Sequence, residues 1–285
     1  MSEMAKPKKA KVRPATADDF DAVYPLLREL NSTRFSREIW QRLFTNLWER
    51  ENWSPGYVLD NGERIVGFLG ALFYKTELNG EDHTVCNLTA WIVEDAYRSN
   101  SIMLLMPFLK MKQTTLTSLT SSREAYKVYK KLGFRDIEQA SRILYPVPSL
   151  CNSFKVLTSE DEVKPLLRKD ELECYQNHQC LDIAQLVITD GSESCFLQIT
   201  RRLGRGQIQK VSNPEFFQRV IGKVCRKVCR AIDVNSLQVD ERFLAGKSVL
   251  LSRKKCFPQE KQAKGALSDM LIDGAYSELS VLATP

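Results

Sequence analysis

The side chains able to do chemistry in this 285-residue chain are few and unevenly placed. Tyr129 shares a helical stripe with Ala125, Val128 and Leu132, so its phenol is directed inward, where it can give a proton to a departing group or bond a backbone carbonyl. Tyr126, three residues earlier, is the alternative on the same segment. Upstream, the stretch HTVCNLTAW offers His83, Asn87 and Thr89 but no carboxylate, so no general base stands out. His83 sits beside an expected hairpin turn and reads as a solvated ring. His178 is the other histidine, and none of the eight cysteines forms a CxxC pair, so no metal site is expected. Cys225 and Cys229 lie at i and i+4 of an expected helix without further ligands nearby, and read as core thiols.

The pattern around these residues predicts the elements that must hold them. KVRPA reads as a strand and TADDFDAVYPLLREL as a capped helix. SREIWQRLFTNLWER reads as a second helix, with Ile39, Trp40, Leu43, Phe44 and Leu47 on one face. Two strands follow, joined by the tight-turn signal Asp60-Asn61-Gly62-Glu63, and HTVCNLTAWIVE adds a third. The stretch YRSNSIMLLMPFLKMK turns helical, with a kink expected at Pro107; then come the strand LTSLT and the helix SREAYKVYKKLGF. FRDIEQASRILYPVP closes the series, and Pro146 and Pro148 mark a boundary. From Cys151 a similar order restarts: a helix over 162–177, strands LDIAQLVITDG, SCFLQIT and QIQKV, the helix NPEFFQRVIGKVCRKVCRAI, then VNSLQVD and SVLLS.

Two of these segments resemble the GNAT superfamily of acyl-CoA N-acyltransferases, over residues 12–146. The first is Trp91-Ile-Val-Glu-Asp-Ala-Tyr-Arg98-Ser-Asn-Ser-Ile-Met103, similar to the family's strand, pyrophosphate loop and helix. The second is Ser122-Arg-Glu-Ala125-Tyr-Lys-Val-Tyr129-Lys-Lys-Leu-Gly133-Phe134, similar to its late helix. The resemblance implies a fold of α/β class with a mixed sheet: a GNAT-like domain over 12–148 behind a basic tail (1–11), and a second, diverged GNAT-like domain over 149–285 that shapes the acceptor cleft. It implies acetyl-CoA as co-substrate and direct acyl transfer to a primary amine of a small molecule, an amino sugar or a protein. Coenzyme A would be held by Ile92, Val93, Arg98, Ser99, Asn100, Ser101, Ile102, Met103 and Ser122, largely through backbone N–H groups at a helix start. Tyr129 would protonate the departing thiolate. The sequence departs from the family at Ser101 and Met103, where the loop's small residues are expected, and it lacks the strand carboxylate. These departures favour the alternative, a non-catalytic module on the same fold. Arg201-Arg-Leu-Gly204-Arg-Gly206 spells the loop pattern more closely, but QIQKV after it alternates as a strand, so it reads as a hairpin turn.

Composition bounds the rest. Hydrophobic residues make up 43% and charged residues 27%, as in folded globular chains. No apolar run reaches the roughly 18 residues of a membrane span, and the charged N-terminus has no apolar core for a secretory signal, which predicts a cytoplasmic protein with reduced cysteines. The net charge of +6 includes a basic N-terminal tail; basic faces recur at Lys127, Lys130 and Lys131 and at Lys223, Arg226, Lys227 and Arg230. These read as solvated faces, and nucleic acid is not expected among the partners. The tail LSDMLIDGAYSELSVL is apolar enough to pack; Asp273, Tyr276 and Glu278 read as turn and cap residues, or as acceptor-binding candidates should the tail cover the acceptor cleft.

Overall fold

The computed structural model describes residues 8–31, 35–45, 47–48, 54–138, 140–148, 153–257 and 260–284. In chain order the first elements are β1 (Lys11–Pro14), α1 (Phe20–Asn31), α2 (Arg37–Gln41), β2 (Gly56–Asp60), β3 (Ile65–Leu78) and β4 (Glu81–Val93). They are followed by α3 (Met106–Leu109), β5 (Thr114–Ser121), α4 (Arg123–Lys131), β6 (Arg135–Asp136), β7 (Ala140–Leu144) and β8 (Lys155–Leu157). Next come α5 (Glu160–Val163), α6 (Lys169–Asn177), β9 (Ile183–Thr189), β10 (Ser194–Arg202), β11 (Arg205–Val211) and α7 (Pro214–Ala231). The last are β12 (Ser236–Asp240), β13 (Ser252–Cys256), β14 (Glu260–Lys264) and α8 (Glu278–Val281). The strands form two seven-stranded mixed sheets, ordered β1-β2-β3-β4-β5-β14-β6 and β13-β7-β12-β11-β10-β9-β8.

Each sheet carries its own core. In the first, β3 and β4 are long because Val66, Leu69, Ala71 and Phe73 face Cys86 and Leu88 within one apolar cluster that also holds Leu104, Phe108, Tyr129 and Phe134. In the second, α7 lays eight buried side chains, among them Phe216, Phe217, Val220 and Val228, on the sheet. Each such burial contributes about 1.5–3 kcal/mol, more than the helix's intrinsic propensity supplies. Of the described cysteines, all free, Cys86, Cys174, Cys195, Cys225 and Cys229 are buried, and Cys180 and Cys256 are exposed.

The chain divides into compact units at a place that differs from the expected one. Unit one comprises Met1–Arg135 and Gln262–Ala266, unit two Asp136–Lys261 and Leu267–Pro285. The strand expected to close the first domain before Pro148 is two strands: β6 stays in the first sheet, while β7 pairs with β12 and β13 in the second. Arg142 of β7 bonds Glu241, with Nε 3.0 Å from Oε2. Alternation in a sequence shows that a strand is half-buried, not which sheet buries it. The gap left beside β5 is filled by β14, arriving from far down the chain. Lys264 at its end donates to Leu132 O at 2.8 Å, placing a cation on the carbonyl end of α4.

Other expectations shift as well. The helix expected over 36–50 is the short α2 followed by a 3-10 turn, Arg42–Phe44; positions 46, 49 and 50 lie outside the described residues. Most of the expected tail also lies outside them, and Ala10 and Lys11 already belong to the folded unit. The strand expected at SVLLS forms slightly later, as β13.

β14 ends on Gly265, whose φ is +144° and where a Cβ would stand 2.5 Å from Thr115 Oγ1 and 2.6 Å from Thr115 Cα. Gly265→Val is therefore expected to lower stability by about 2 kcal/mol or more, since both the backbone conformation and the space are unsuited to a side chain. Thermal and urea denaturation of the full chain check this; an unchanged midpoint would show that the return of β14 does not depend on this close approach.

Candidate functional site: a parted strand pair at the β4 bulge

Hydrogen bonding between the parallel strands β4 and β5 runs from Thr84↔Thr114 to Asn87↔Thr117 and stops. Beyond that point β4 continues to Val93 and β5 to Ser121. On its other side β4 remains paired to β3, but with a bulge: Thr89 faces Gly70 and Ile92 faces Phe68, leaving Ala90 and Trp91 opposite Leu69. Ala90 takes φ = 50°, a conformation most side chains avoid. A bulge twists a strand away from its neighbour. Residues 88–93 consequently present half of their backbone N–H and C=O groups to the opening rather than to a strand.

Tyr129 stands behind this bulge, 2% exposed, its ring 5.3 Å from that of Trp91 and 4.8 Å from that of Phe134. Its inward direction follows the expected stripe. The Gly-Phe that ends α4 has a structural explanation. Gly133, at φ = 83°, donates from N to Lys130 O (3.1 Å), and Phe134 N donates to Tyr129 O (3.1 Å). This is the Schellman stop, in which the residue after the glycine also packs on the one whose carbonyl it binds. The other end of α4 is capped by Ser122, whose hydroxyl accepts from Ala125 N at 3.2 Å. Ser122, expected to touch the coenzyme, is thus employed as a helix cap.

The segment after β4 is helical as expected but of another kind: residues Asp95–Leu104 form a 3-10 helix, and only Met106–Leu109 are α-helical, with Pro107 in that first turn. Proline is tolerated there because no helical N–H is needed from it, so it starts a turn instead of kinking a helix. Arg98 is exposed and paired with Asp95 (2.8 Å), Ser99 bonds Asn100, and Asn100 bonds Met103. Ile102 and Met103 are exposed, Ser101 partly so, and Ile92 and Val93 line the strand end half-buried. A 3-10 helix has poorer hydrogen-bond geometry than an α-helix and leaves fewer N–H groups free at its start, so the anion site expected here is weaker. Glu94 is occupied by Arg64 (Nη2–Oε2 2.7 Å).

His83 differs from its expected solvated state. It is buried, and its Nε2 lies 2.8 Å from Thr115 Oγ1 of β5, so it ties the two parallel strands together below the opening. Asn87 accepts from Thr117 at 3.1 Å at the last paired rung. Sequence reasoning missed Trp91, whose buried indole Nε1 has no hydrogen-bond partner among the described residues although it lies in the bulge itself. A tryptophan directly before two apolar strand residues was the available signal.

Unit two repeats the arrangement with a different outcome. The parallel pair β11 and β12 stops at Gln207↔Gln238, and a bulge leaves Gln209 unmatched by β10. Here the chain's own C-terminal segment closes the place: Gly274 N donates to Gln209 O at 2.9 Å, and a Cβ at Gly274 would collide with Gln209 Oε1 at 2.2 Å. Lys210 Nζ and Asp273 Oδ2 are 2.8 Å apart, and Tyr276 OH accepts from Asn177 at 3.1 Å. Asp273 and Tyr276, read from sequence as turn residues or acceptor ligands, are engaged in this closure.

No family model and no curated protein sequence matches the chain. Solved structures do resemble it. The architecture is that of the GCN5-related N-acetyltransferases, the GNAT fold: an α/β chain built on mixed sheets. A Pyrococcus horikoshii protein, provisionally assigned as an acetyltransferase, superposes with a TM-score of 0.60 at 15% identity, over 100% of this chain and 98% of its own. A GCN5-related N-acetyltransferase of Kribbella flavida gives 0.60 at 12% identity, over 92% of this chain and 72% of its own. Saccharomyces cerevisiae N-myristoyltransferase, solved with myristoyl-CoA, gives 0.50 at 9% identity, over 92% and 83% respectively.

The closure in unit two generates a pH dependence. His178 is fully buried, with Nδ1 2.7 Å from Cys174 O and Nε2 2.8 Å from Ala275 O. Burial lowers its pKa below the ordinary 6.5, against the pull of both carbonyls and Asp273 and together with the charge of Lys210. The unfolded chain therefore binds the proton first as pH falls through about 6.5, so stability is full above that value and declines below it. Melting temperature is expected to fall between pH 7 and about 5, and less steeply in His178→Gln. Equal slopes for the two proteins would place the acid sensitivity elsewhere.

Proposed function

We propose that unit one transfers an acyl group from coenzyme A to a primary amine, and that unit two is a diverged, inactive copy of the same fold. The single observation carrying this is the parted β4–β5 pair with its bulge, which offers a strand edge to an amide-bearing arm. The fit divides into two parts. Residues 88–93 provide the strand-edge groups suited to the thioester arm, and Trp91 Nε1 is a buried donor beside them. The helix at 95–104 starts as a 3-10 helix with Asp95 in its first turn, so Arg98, Ser99, Asn100, Ser101, Ile102 and Met103 would hold the pyrophosphate with less help from free N–H groups than an α-helix start gives. Acyl-CoA, when bound, supplies an activated carbonyl and a thiolate leaving group. The chain's part is to aim N–H groups of the β4 end at the carbonyl oxygen, where charge develops, and to exclude water with Trp91 and its neighbours. Tyr129 Oη is the proposed source of the proton for the leaving sulfur. Beyond Asp82 β4 carries no carboxylate to take the amine's proton, so the reading requires an amine that arrives neutral or loses its proton to water. Acetyl is the acyl group favoured here, with a small amine, an amino sugar or a protein amine as acceptor, in the cytoplasm.

One set of observations favours the second reading, a binding or regulatory module without turnover: the 3-10 rather than α-helical start at 95–104 and the 2% exposure of Tyr129. Calorimetry with acetyl-CoA, alongside thiol release in the presence of an amine panel, separates the two. The enzyme reading expects one acetyl-CoA per chain, because unit two is closed by its own tail. It also expects Tyr129→Phe to bind normally while turnover falls by about 10²–10⁴. Binding without thiol release from any amine would leave the module reading standing, and no binding at all would sink both.

A further inference from the structure

One end of the second sheet carries a feature that acyl transfer does not use. The β10–β11 hairpin turns through Leu203 and Gly204, both at positive φ (50° and 70°). Such a turn ordinarily takes Asn or Gly, since a leucine there is strained and its side chain has nothing to pack on. Leu203 is 93% exposed. The tip is nonetheless held in place, because Asn235 N donates to Gly204 O at 2.7 Å.

The strand ladder shows what lies beside it. Arg205 of β11 faces Ser236 of β12, Leu237 of β12 faces Leu144 of β7, and Leu144 also faces Ser252 of β13. The start of β13 therefore reaches the same end of the sheet, roughly 15 Å from the hairpin at the usual strand spacing. There Leu250 and Leu251 are 75% and 62% exposed, and Leu251 is again left-handed, with φ = 50°. Tyr145, whose N–H bonds Leu251 O at 3.1 Å, is exposed beside them. Two turns at one end of the sheet thus hold leucines outward in conformations that leucine disfavours.

The described charges at this end are mainly basic, with Asp233, exposed two residues before Asn235, as an acidic exception besides the paired Asp182. Arg202 and Arg253 are exposed, and Arg205 is partly so, reaching Ser236 Oγ with Nε at 3.3 Å. Arg201 is already paired with Asp182 (2.6 Å). Exposed aliphatic side chains on turns, with Arg202, Arg205 and Arg253 outnumbering Asp233 beside them, match a bilayer surface with anionic headgroups: the leucines enter the acyl boundary and the guanidinium groups bind phosphates. A small-molecule site would be concave instead. We propose that this end of unit two docks on anionic membranes. The proposal does not depend on the acyl-transfer reading.

The test is co-sedimentation of the full chain with phosphatidylcholine vesicles, with and without about a third phosphatidylserine, at low and high salt. The expected result is binding to the anionic vesicles alone, at least tenfold weaker for Leu203→Asn and for Leu250→Ser with Leu251→Asn. Leu203→Asn is expected to melt no lower than the parent, since asparagine suits the turn, which separates lost docking from lost folding. Absence of binding to anionic vesicles would overturn the proposal. So would vesicle binding unaffected by the leucine substitutions, or RNA capture that competes fully with the vesicles and is equally strong in Leu203→Asn, either of which would show charge alone at work.

Discussion

The point where β4 and β5 stop exchanging hydrogen bonds governs the first unit. A parallel pair that parts inside a sheet leaves backbone donors and acceptors that must be met by water, by a ligand or by other chain, because leaving them buried and unmet costs free energy. The surroundings of this opening are arranged to tolerate it. His83 ties β4 to β5 at the first rungs and Asn87 at the last, and β3 continues alongside β4 to its end, so the parting is confined to one side. The same constraint arises in the second unit at Gln207↔Gln238, where the chain meets it with Gly274 and the residues around it. One fold thus carries two solutions to one problem: an edge left open and an edge filled from within.

Tyr129 connects the opening to the rest of the core. It is at once the residue whose carbonyl receives the helix-ending bond from Phe134 and the ring on which Trp91 and Phe134 pack. Its placement is therefore over-determined by secondary structure before any chemistry is considered. Lys264 completes that end of the helix from a strand more than a hundred residues downstream. Any role of the phenol rests on this framework.

Much of the fold was legible in the sequence because its signals are local. The hairpins at 60–63 and 203–204, the capped helices and the apolar stripe of α7 are written within a few residues, and each formed near its expected place. What failed to show were choices made by distant partners. The alternation of residues 137–144 does not name a sheet, and nothing in 260–264 announces that it will lie beside β5. The candidate site was legible in the same uneven way. The strand and the inward direction of Tyr129 follow from pattern, whereas the bulge at Ala90 and Trp91 gave no sign of itself, and residues 95–104 form a 3-10 helix ahead of Pro107 where a longer helix was expected. His83 marks the limit of inferring exposure from a nearby turn, since its strand position puts it against Thr115.

The insertion of β14 between β5 and β6 carries a consequence for how the protein comes to exist. A ribosome releases β1 to β6 well before residues 260–264, so during synthesis the first sheet waits with β5 lacking one neighbour and β6 lacking its attachment. A waiting edge of this kind is a template for pairing with other chains, and long-range closure of this order is the slow step of folding. The described residues of β5, TTLTSLTS, are rich in threonine and serine and free of charge, so nothing in that strand repels a stranger. The N-terminal half is for this reason not a self-sufficient domain in time, even though its catalytic candidates all lie within it: its sheet is finished by a strand that leaves the ribosome long after the rest.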